Sequence, residues 1–515
     1  MELLLQILLS LVLVSFSSLI MCVAHNLWLR PKRIRETLSK QGIRGPRSPS
    51  FLHGNLKEMK QMKFVETDEE EQSPHDYVPR LFPYFHQWKK TYGSTFTYSS
   101  GTTVFLYVGD PDMIKEMSMC TSMELGKPRA WGKHRAALFG KGILMANGEN
   151  WRRQRKIIAQ ELYMDKVKSM IGLMVECGIS MLEGWERRVE RAGGVGALRV
   201  DEDLRNFSAD VFSKTCFGSS YEKGQEIYHR LRCIQRAMAK QGLLVGVPGM
   251  RFIPNTINRE IWKLRREVRS IILKALKERM AEPKAAAEDD LLKAILENSK
   301  AVEAHATPDD INNLIVDNCK NLYFAGHETT ASAASWCLLL LAMNPIWQTR
   351  VRDEVAEVCK GYLPNIEMLR QMKILTMVLH ETMRLYAPAA FMIREAFVDL
   401  QFGGIRIPAG TNLWIPVSAL HHDTEIWGSD AHIFNPERFA NGIIGACKNP
   451  YAFHPFGFGS RTCVGQNFAM VELKIVISLI ISKFKFSLSQ TYCHSPTFQL
   501  VVEPANGLQL VMERV

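Results

Sequence analysis

The segment Phe456–Gly465, FGFGSRTCVG, constrains this chain more than any other. It sets one cysteine, Cys463, between Gly459 and Gly465, with Arg461 two residues ahead and an apolar helical stretch, Gly465 to about Lys483, behind. A cysteine binds a metal only as the thiolate, so its surroundings must favour negative charge. The first N–H groups of the following helix, and its positive end, can supply that. Glycines at 459 and 465 permit backbone angles and a close approach that a side chain would block. A flat group could then lie against the loop. Taken alone, the same stretch also reads as a Gly-rich turn carrying a small buried cysteine.

Thr307-Pro308-Asp309-Asp310 predicts an N-cap, a proline at the first helical position and acids in the first turn. The helix runs to about Met343, where Asn344-Pro345 stops it, and measures about 54 Å at 1.5 Å per residue. Such a length crosses a whole domain. AGHETT, Ala325–Thr330, stands in its middle. Ala325-Gly326 lets a flat group or substrate approach the backbone, while Glu328 and Thr329 place an acid and a hydroxyl where a helix interior prefers neither. A packing glycine and a threonine bonded back to the carbonyl one turn earlier account for the same residues.

A further helix, about Ile366 to Tyr386, carries Ile374, Met377, Val378, Glu381 and Leu385 at helical spacing. Glu381 therefore falls on the apolar face with Arg384 three residues on, and a buried charge needs a partner. Trp151 and Arg155 stand four apart, on one helix face. β-prone residues at Thr95–Tyr98 and Val104–Val108 flank Gly101 and read as a hairpin, Ala389–Glu395 as a strand, and Leu400–Ile407 and Asn412–Val417 as further sheet. The expected fold class is mainly α with a minor β region.

No internal repeat or long low-complexity tract divides the 515 residues. One large catalytic domain, 61–515, is expected behind an N-terminal anchor, 1–29, and a basic, Pro/Gly-containing hinge, 30–60. From Leu3 to Leu29 there is no Asp, Glu, Lys or Arg, and the run is long enough to cross a bilayer. Arg30, Lys32, Arg33 and Arg35 follow at once, which puts the bulk of the chain on the cytosolic side. A cleaved signal peptide would want basic residues before the run and a small-residue site after it. The acidic run Glu66–Glu71 reads as a solvated loop, and 281–306 as a surface connection with a short helix. A net charge of +11 suits an anionic membrane face or an acidic protein partner. Zinc spacing, an aromatic-basic motif and an isolated basic tail are all missing, which excludes a nucleic-acid binder. Eleven cysteines, scattered singly with no C-x-x-C pair, argue for a reducing compartment.

Phe456, Gly459, Arg461, Cys463 and Gly465 fall at the offsets F-x-x-G-x-R-x-C-x-G, and this resembles the haem-binding loop of the cytochrome P-450 monooxygenases. The resemblance implies haem b with Cys463 as iron ligand, the ligation that pushes electron density toward O–O cleavage, and Phe456 and Arg461 as further cofactor contacts. AGHETT matches the family's oxygen-activating A-G-x-[DE]-T-T, which implies that Glu328 and Thr329 deliver protons through water to dioxygen. By the same likeness Trp151, Arg155 and Arg394 bind haem propionates, and Glu381 and Arg384 form E-x-x-R with Arg438 of P-E-R-F as structural support. Ala325, Ala390, Phe391 and Met392 would line the substrate cavity. The implied fold is the cytochrome P-450 domain, haem lying between the long helix and the cysteine loop.

Gln41–Asn55, Glu124–Arg129 and His421–Asp423 resemble the plant clan containing gibberellin oxidases and brassinosteroid- and cytokinin-modifying enzymes, and within it the gibberellin-oxidising family. That implies hydroxylation or epoxidation of a gibberellin or related ent-kaurane acid at the endoplasmic reticulum membrane. Its electrons would come from NADPH through a cytochrome reductase. Triterpenoids, brassinosteroids or other plant hormones are alternative substrates, the pocket being shaped by loops such as Glu124–Gly148 and Met238–Phe252. A haem-thiolate isomerase would not need Glu328-Thr329, and a noncatalytic haem carrier would need neither an enclosed cavity nor the E-x-x-R and P-E-R-F support.

Overall fold

The helix predicted from Thr307 is the axis of the molecule. In the computed structural model, which describes residues 2–50, 52–62, 73–121, 123–218, 221–240, 252–281, 290–301 and 307–515, it spans Pro308–Met343. The Thr307 hydroxyl accepts from the Asp310 N–H while the Asp310 carboxylate accepts from the Thr307 N–H, a reciprocal capping box. At Asn344 the chain turns, and the next helix, Pro345–Cys359, leaves at 113°. Almost every side chain from Ile315 to Ala342 is buried. Helices Val200–Phe217, Lys373–Leu385 and Gln466–Lys483 pack around this axis.

The principal sheet has five strands. Thr95–Ser100 and Thr103–Val108 form the antiparallel hairpin; Asn412–Ile415 runs parallel to its second strand, followed by Met392–Ala396 and the short Leu125–Gly126. Pairing of Met392 with Ile415 and of Arg394 with Leu413 sets the strand's phase. Side chains alternate between faces. Met392 and Arg394 therefore share one side, and Ile393 faces the aromatic cluster of Phe85, Tyr98 and Trp414 on the other.

Two helices differ from expectation. The stretch Ile366 to Tyr386 is two helices, Ile366–Gln371 and Lys373–Leu385, parted at Met372. The Glu354 carboxylate, brought from the preceding helix, accepts from the N–H groups of Ile374 and Leu375 at 2.7 and 2.9 Å, so the second helix begins afresh there. At the N-terminus, helix Glu2–Ala24 continues through a π-turn, His25–Leu29, into Arg30–Lys40, whose Ile34 and Leu38 pack on Val104. The chain leaves helix only after Lys40, and Gly42–Pro49 has neither helix nor strand. The apolar helix is long and hydrophobic enough to cross a membrane. The acidic run Glu66–Glu71, most of Met238–Phe252 and much of 281–306 lie outside the described residues, apart from helix Leu291–Ala301.

Candidate active site

The cysteine loop folds back on itself: the Cys463 N–H donates to the Phe456 carbonyl at 2.7 Å. Gly459 has φ +63°, and a Cβ there would stand 2.5 Å from the Ser118 carbonyl oxygen, so glycine lets the loop seat on that segment. Gly465, by contrast, has an ordinary φ of −94° and open space around it. Its contribution is electrostatic, the N–H favouring the thiolate form of Cys463. The sulfur opens into an internal cavity of about 320 Å³. Burial pushes the Cys463 thiol up, against the pull of the Gly465 N–H and the Arg155 charge. Of the eleven cysteines, Cys463 alone lines this cavity among the described residues.

The opposite wall is the axial helix, through Ala325, Gly326, Thr329, Thr330 and Ala333. The Thr329 hydroxyl donates to the Ala325 carbonyl at 2.7 Å. Glu328 does not join it. Neighbours on a helix point about 100° apart, and the Glu328 carboxylate lies 3.8 Å from Arg205, whose guanidinium also holds Asp201 and Glu503 at 2.8 Å each. Gly326 likewise serves packing, since a Cβ there would meet the Phe212 ring at 2.3 Å. Ala325 is the residue that keeps the cavity wall small.

Four cations line the cavity: Lys127, Arg155, Arg394 and Arg461. None lies within ion-pair distance of a carboxylate among the described residues. Arg461 donates to the Ala146 carbonyl and Asn147 and lies 4.4 Å from the Trp151 ring centroid, yet its Nε is buried with no acceptor. Arg155 donates to the Thr462 carbonyl at 2.7 Å, and Arg394 to the Ile393 carbonyl at 3.0 Å. Burial pulls Arg394 down to about 10 and Arg461 to about 9, neighbouring arginines adding repulsion at Arg461. Burial and the same arginines hold Lys127 well below its usual range. Sequence reasoning missed Lys127 as a site residue; its signal was the ELGKPR segment, where the sheet-edge strand Leu125–Gly126 carries it inward.

Met392 lines the cavity, but Ala390 and Phe391 do not. They border a separate cavity of about 340 Å³, and the Phe391 ring stacks on Trp414 at 3.7 Å. Both precede the strand Met392–Ala396, and the Trp414 stack holds Phe391 away from the Cys463-side cavity. Behind the site, Glu381 holds Arg384 bidentately at 2.7 and 2.8 Å, both fully buried, with Arg438 at 3.6 Å. Arg384 places its remaining N–H groups on the carbonyls of His421, Ala431 and Ile433.

The sequence model of the cytochrome P450 family matches residues 77–512. The chain is 50% identical over 497 residues to cytochrome P450 714C2 of Oryza sativa subsp. japonica, covering 95% of this chain and 94% of that one. It is 45% identical over 520 residues to cytochrome P450 714B3 of Zea mays, covering 99% and 96% respectively. This chain is a cytochrome P450. As a cytochrome P450 it is a haem monooxygenase with a cysteine-thiolate iron ligand and a redox-partner reductase, and its mainly helical domain with small sheets is the family fold. The residues present fit the cofactor. Unneutralised cations with an orphaned Arg461 Nε suit a disc whose edge carries carboxylates, and apolar walls suit its faces.

Proposed function

We propose that this cytochrome P450 hydroxylates or epoxidises a gibberellin or a related ent-kaurane diterpenoid acid. It would be held in the endoplasmic reticulum membrane by a single N-terminal span, its catalytic domain in the cytosol, and be reduced by NADPH-cytochrome reductase. In this reading 1–29 is the anchor, 30–60 the hinge and 61–515 the haem-thiolate domain. The observation that carries the reading is one cavity faced by the Cys463 loop and by an apolar wall of Ile143, Leu144, Phe212 and Ala333 with the Thr329 hydroxyl. A rigid hydrocarbon skeleton suits such a wall. The likeness of Gln41–Asn55, Glu124–Arg129 and His421–Asp423 to the gibberellin-oxidising family supports the diterpenoid.

Haem, when bound, supplies the activation of dioxygen and the transfer of one oxygen atom. Cys463 presents the ligating sulfur, steadied by the Gly465 N–H, and Phe456 closes the loop through its carbonyl. Lys127, Trp151, Arg155, Arg394 and Arg461 hold the carboxylate edge. Thr329, with its proton on the Ala325 carbonyl, keeps an oxygen lone pair free to accept from the cavity and relay a proton. Glu328 serves from behind the helix, anchoring Arg205. Glu381, Arg384 and Arg438 brace the proximal side, and Ala325 and Met392 bound the substrate space.

The test is a substrate-binding difference-spectral screen of gibberellins, kaurenoic acid and triterpenoid acids with the reductase-coupled enzyme, followed by mass analysis of products. A diterpenoid acid should displace the resting spectrum and gain one oxygen. A response confined to triterpenoid acids overturns the substrate reading. Cys463→Ala should abolish the thiolate-type carbon monoxide absorption, and its persistence would reject Cys463 as ligand.

A further inference from the structure

His421-His422-Asp423, which helped place the chain, has no part in the chemistry above. His422 closes the short helix Val417–His421, and its Nε2 lies 2.7 Å from the Leu385 carbonyl. A carbonyl only accepts, so Nε2 carries the proton and Nδ1 is left with a bare lone pair. That Nδ1 lies 3.4 Å from Nδ1 of His432, which in turn lies 3.7 Å from Oδ1 of Asp76. All three donor atoms fall within 4.8 Å of one another.

These separations are too long for a well-made hydrogen-bond chain. They match a different geometry: two ligands about 2.1 Å from a tetrahedral ion stand roughly 3.4 Å apart. We propose that Asp76, His422 and His432, none of which lines the haem cavity, form a binding site for a borderline divalent cation, zinc above all. Two imidazoles and one carboxylate suit that class, whereas calcium and magnesium favour all-oxygen shells. The Leu385 carbonyl orients the His422 ring as outer partners of metal-bound histidines commonly do. All three residues border a cavity of about 340 Å³, which has room for water as a further ligand.

The surroundings are compatible with a cation. His422 is buried, while Asp76 and His432 are 21% and 25% exposed and give an ion a way in from solvent. Lys89, at the same cavity, is already held by Asp423 at 2.6 Å, and Arg384 is enclosed by Glu381. The ligands come from the segment before helix Val78–Leu81, the end of helix Val417–His421, and the loop leading to Pro436–Phe439. A bound ion would tie Asp76 to the His422–His432 segment far along the chain, and by binding the folded state it would stabilise it by mass action. The inference is independent of the substrate reading.

The experiment is calorimetric titration of the chelator-stripped, haem-loaded, full-length enzyme in detergent with zinc chloride, and with magnesium chloride as a contrast. The expected result is one zinc ion bound per chain with micromolar affinity or better, no response to magnesium, and a higher unfolding temperature with zinc. Asp76→Asn and His432→Ala should each weaken zinc binding roughly tenfold or more, with the carbon monoxide spectrum unchanged, while His53→Ala should not. Absent saturable zinc binding, or binding indifferent to both substitutions, overturns the site. Zinc-edge X-ray absorption on the unmutated protein decides it without variants: nitrogen and oxygen ligands support the site, and sulfur ligands refute it.

Discussion

Two groups of buried charge lie on either side of the cysteine loop, and they are treated in opposite ways. In the Glu381–Arg384–Arg438 group every N–H of Arg384 has an acceptor: two go to Glu381 oxygens and the others to backbone carbonyls. In the cavity group, Lys127, Arg155, Arg394 and Arg461 face one another with no carboxylate among the described residues, and the Arg461 Nε has no acceptor. Desolvation penalises both groups alike. The first is closed by the protein itself and belongs to the fold; the second is open and is completed by what it binds. The Arg438 Nε also lacks an acceptor, so it is carboxylate partners, Glu381 and Asp430 in the first group and none among the described residues in the second, that separate framework from site.

The contrast breaks most visibly at the closed group. Arg384→Met leaves Glu381 buried without its partner, an expected loss of about 3–5 kcal/mol. Urea unfolding and the yield of haem-loaded protein read it directly, and a shift of the midpoint within error would show that the triad does not brace the fold. Glu472 on helix Gln466–Lys483 sharpens the point, because it is a buried acid with no cation in ion-pair reach among the described residues. Neither carboxyl oxygen has a hydrogen-bond partner of good geometry among the described residues, and burial raises it to about 8. The folded state therefore keeps the proton that the unfolded chain releases near 4.5, so stability falls as pH rises from there to about 8. Glu472→Gln should remove that slope and stabilise the enzyme by about 3 kcal/mol at pH 7. An unchanged pH–stability profile would place a partner on Glu472.

At the open group the sign reverses. Arg394→Met or Arg461→Met removes a cation that no carboxylate among the described residues neutralises, so the apoprotein's unfolding midpoint should hold steady or rise. Haem affinity should fall by about 1.5–3 kcal/mol for each, the worth of a hydrogen bond to a charged group. Haem titration beside apoprotein unfolding measures both. A variant that destabilises the apoprotein as Arg384→Met does would erase the distinction.

Legibility followed the range of the forces involved. The axial helix was readable from Thr307 to Met343 because its capping box and its stop are local. Glu381 and Arg384 were readable because a charge on an apolar face demands a partner nearby. The break at Met372 was not, since the carboxylate that caps the next helix comes from Glu354, 20 residues earlier. Phe391 meets Trp414 and not the haem-side cavity, because the pairing of the adjoining strand with Asn412–Ile415, a long-range contact, fixes where the chain enters that strand. Lys127 was passed over because only tertiary packing buries it. Gly326 lines the cavity as its place in the helix suggested, but its lack of a side chain also makes room for Phe212, which only the tertiary packing reveals.

Glu328 and Thr329 bring the two kinds of environment to adjacent residues. Glu328 belongs with the closed charges, its carboxylate in the Arg205 cluster, and Thr329 with the open cavity. Thr329→Ala should therefore retain haem and fold while lowering product formed per dioxygen consumed about fivefold, or ~1 kcal/mol in partitioning. Glu328→Gln keeps the volume and loosens an ion pair at 3.8 Å, so it should lower stability by up to about 1 kcal/mol and leave coupling near that of the parent enzyme. Dioxygen uptake, product yield and thermal unfolding, measured on both variants, distinguish the roles. Equal uncoupling in the two would mean that the acid reaches the cavity through its neighbour, and the boundary between closed and open charge would then run through Arg205 instead of along the helix face.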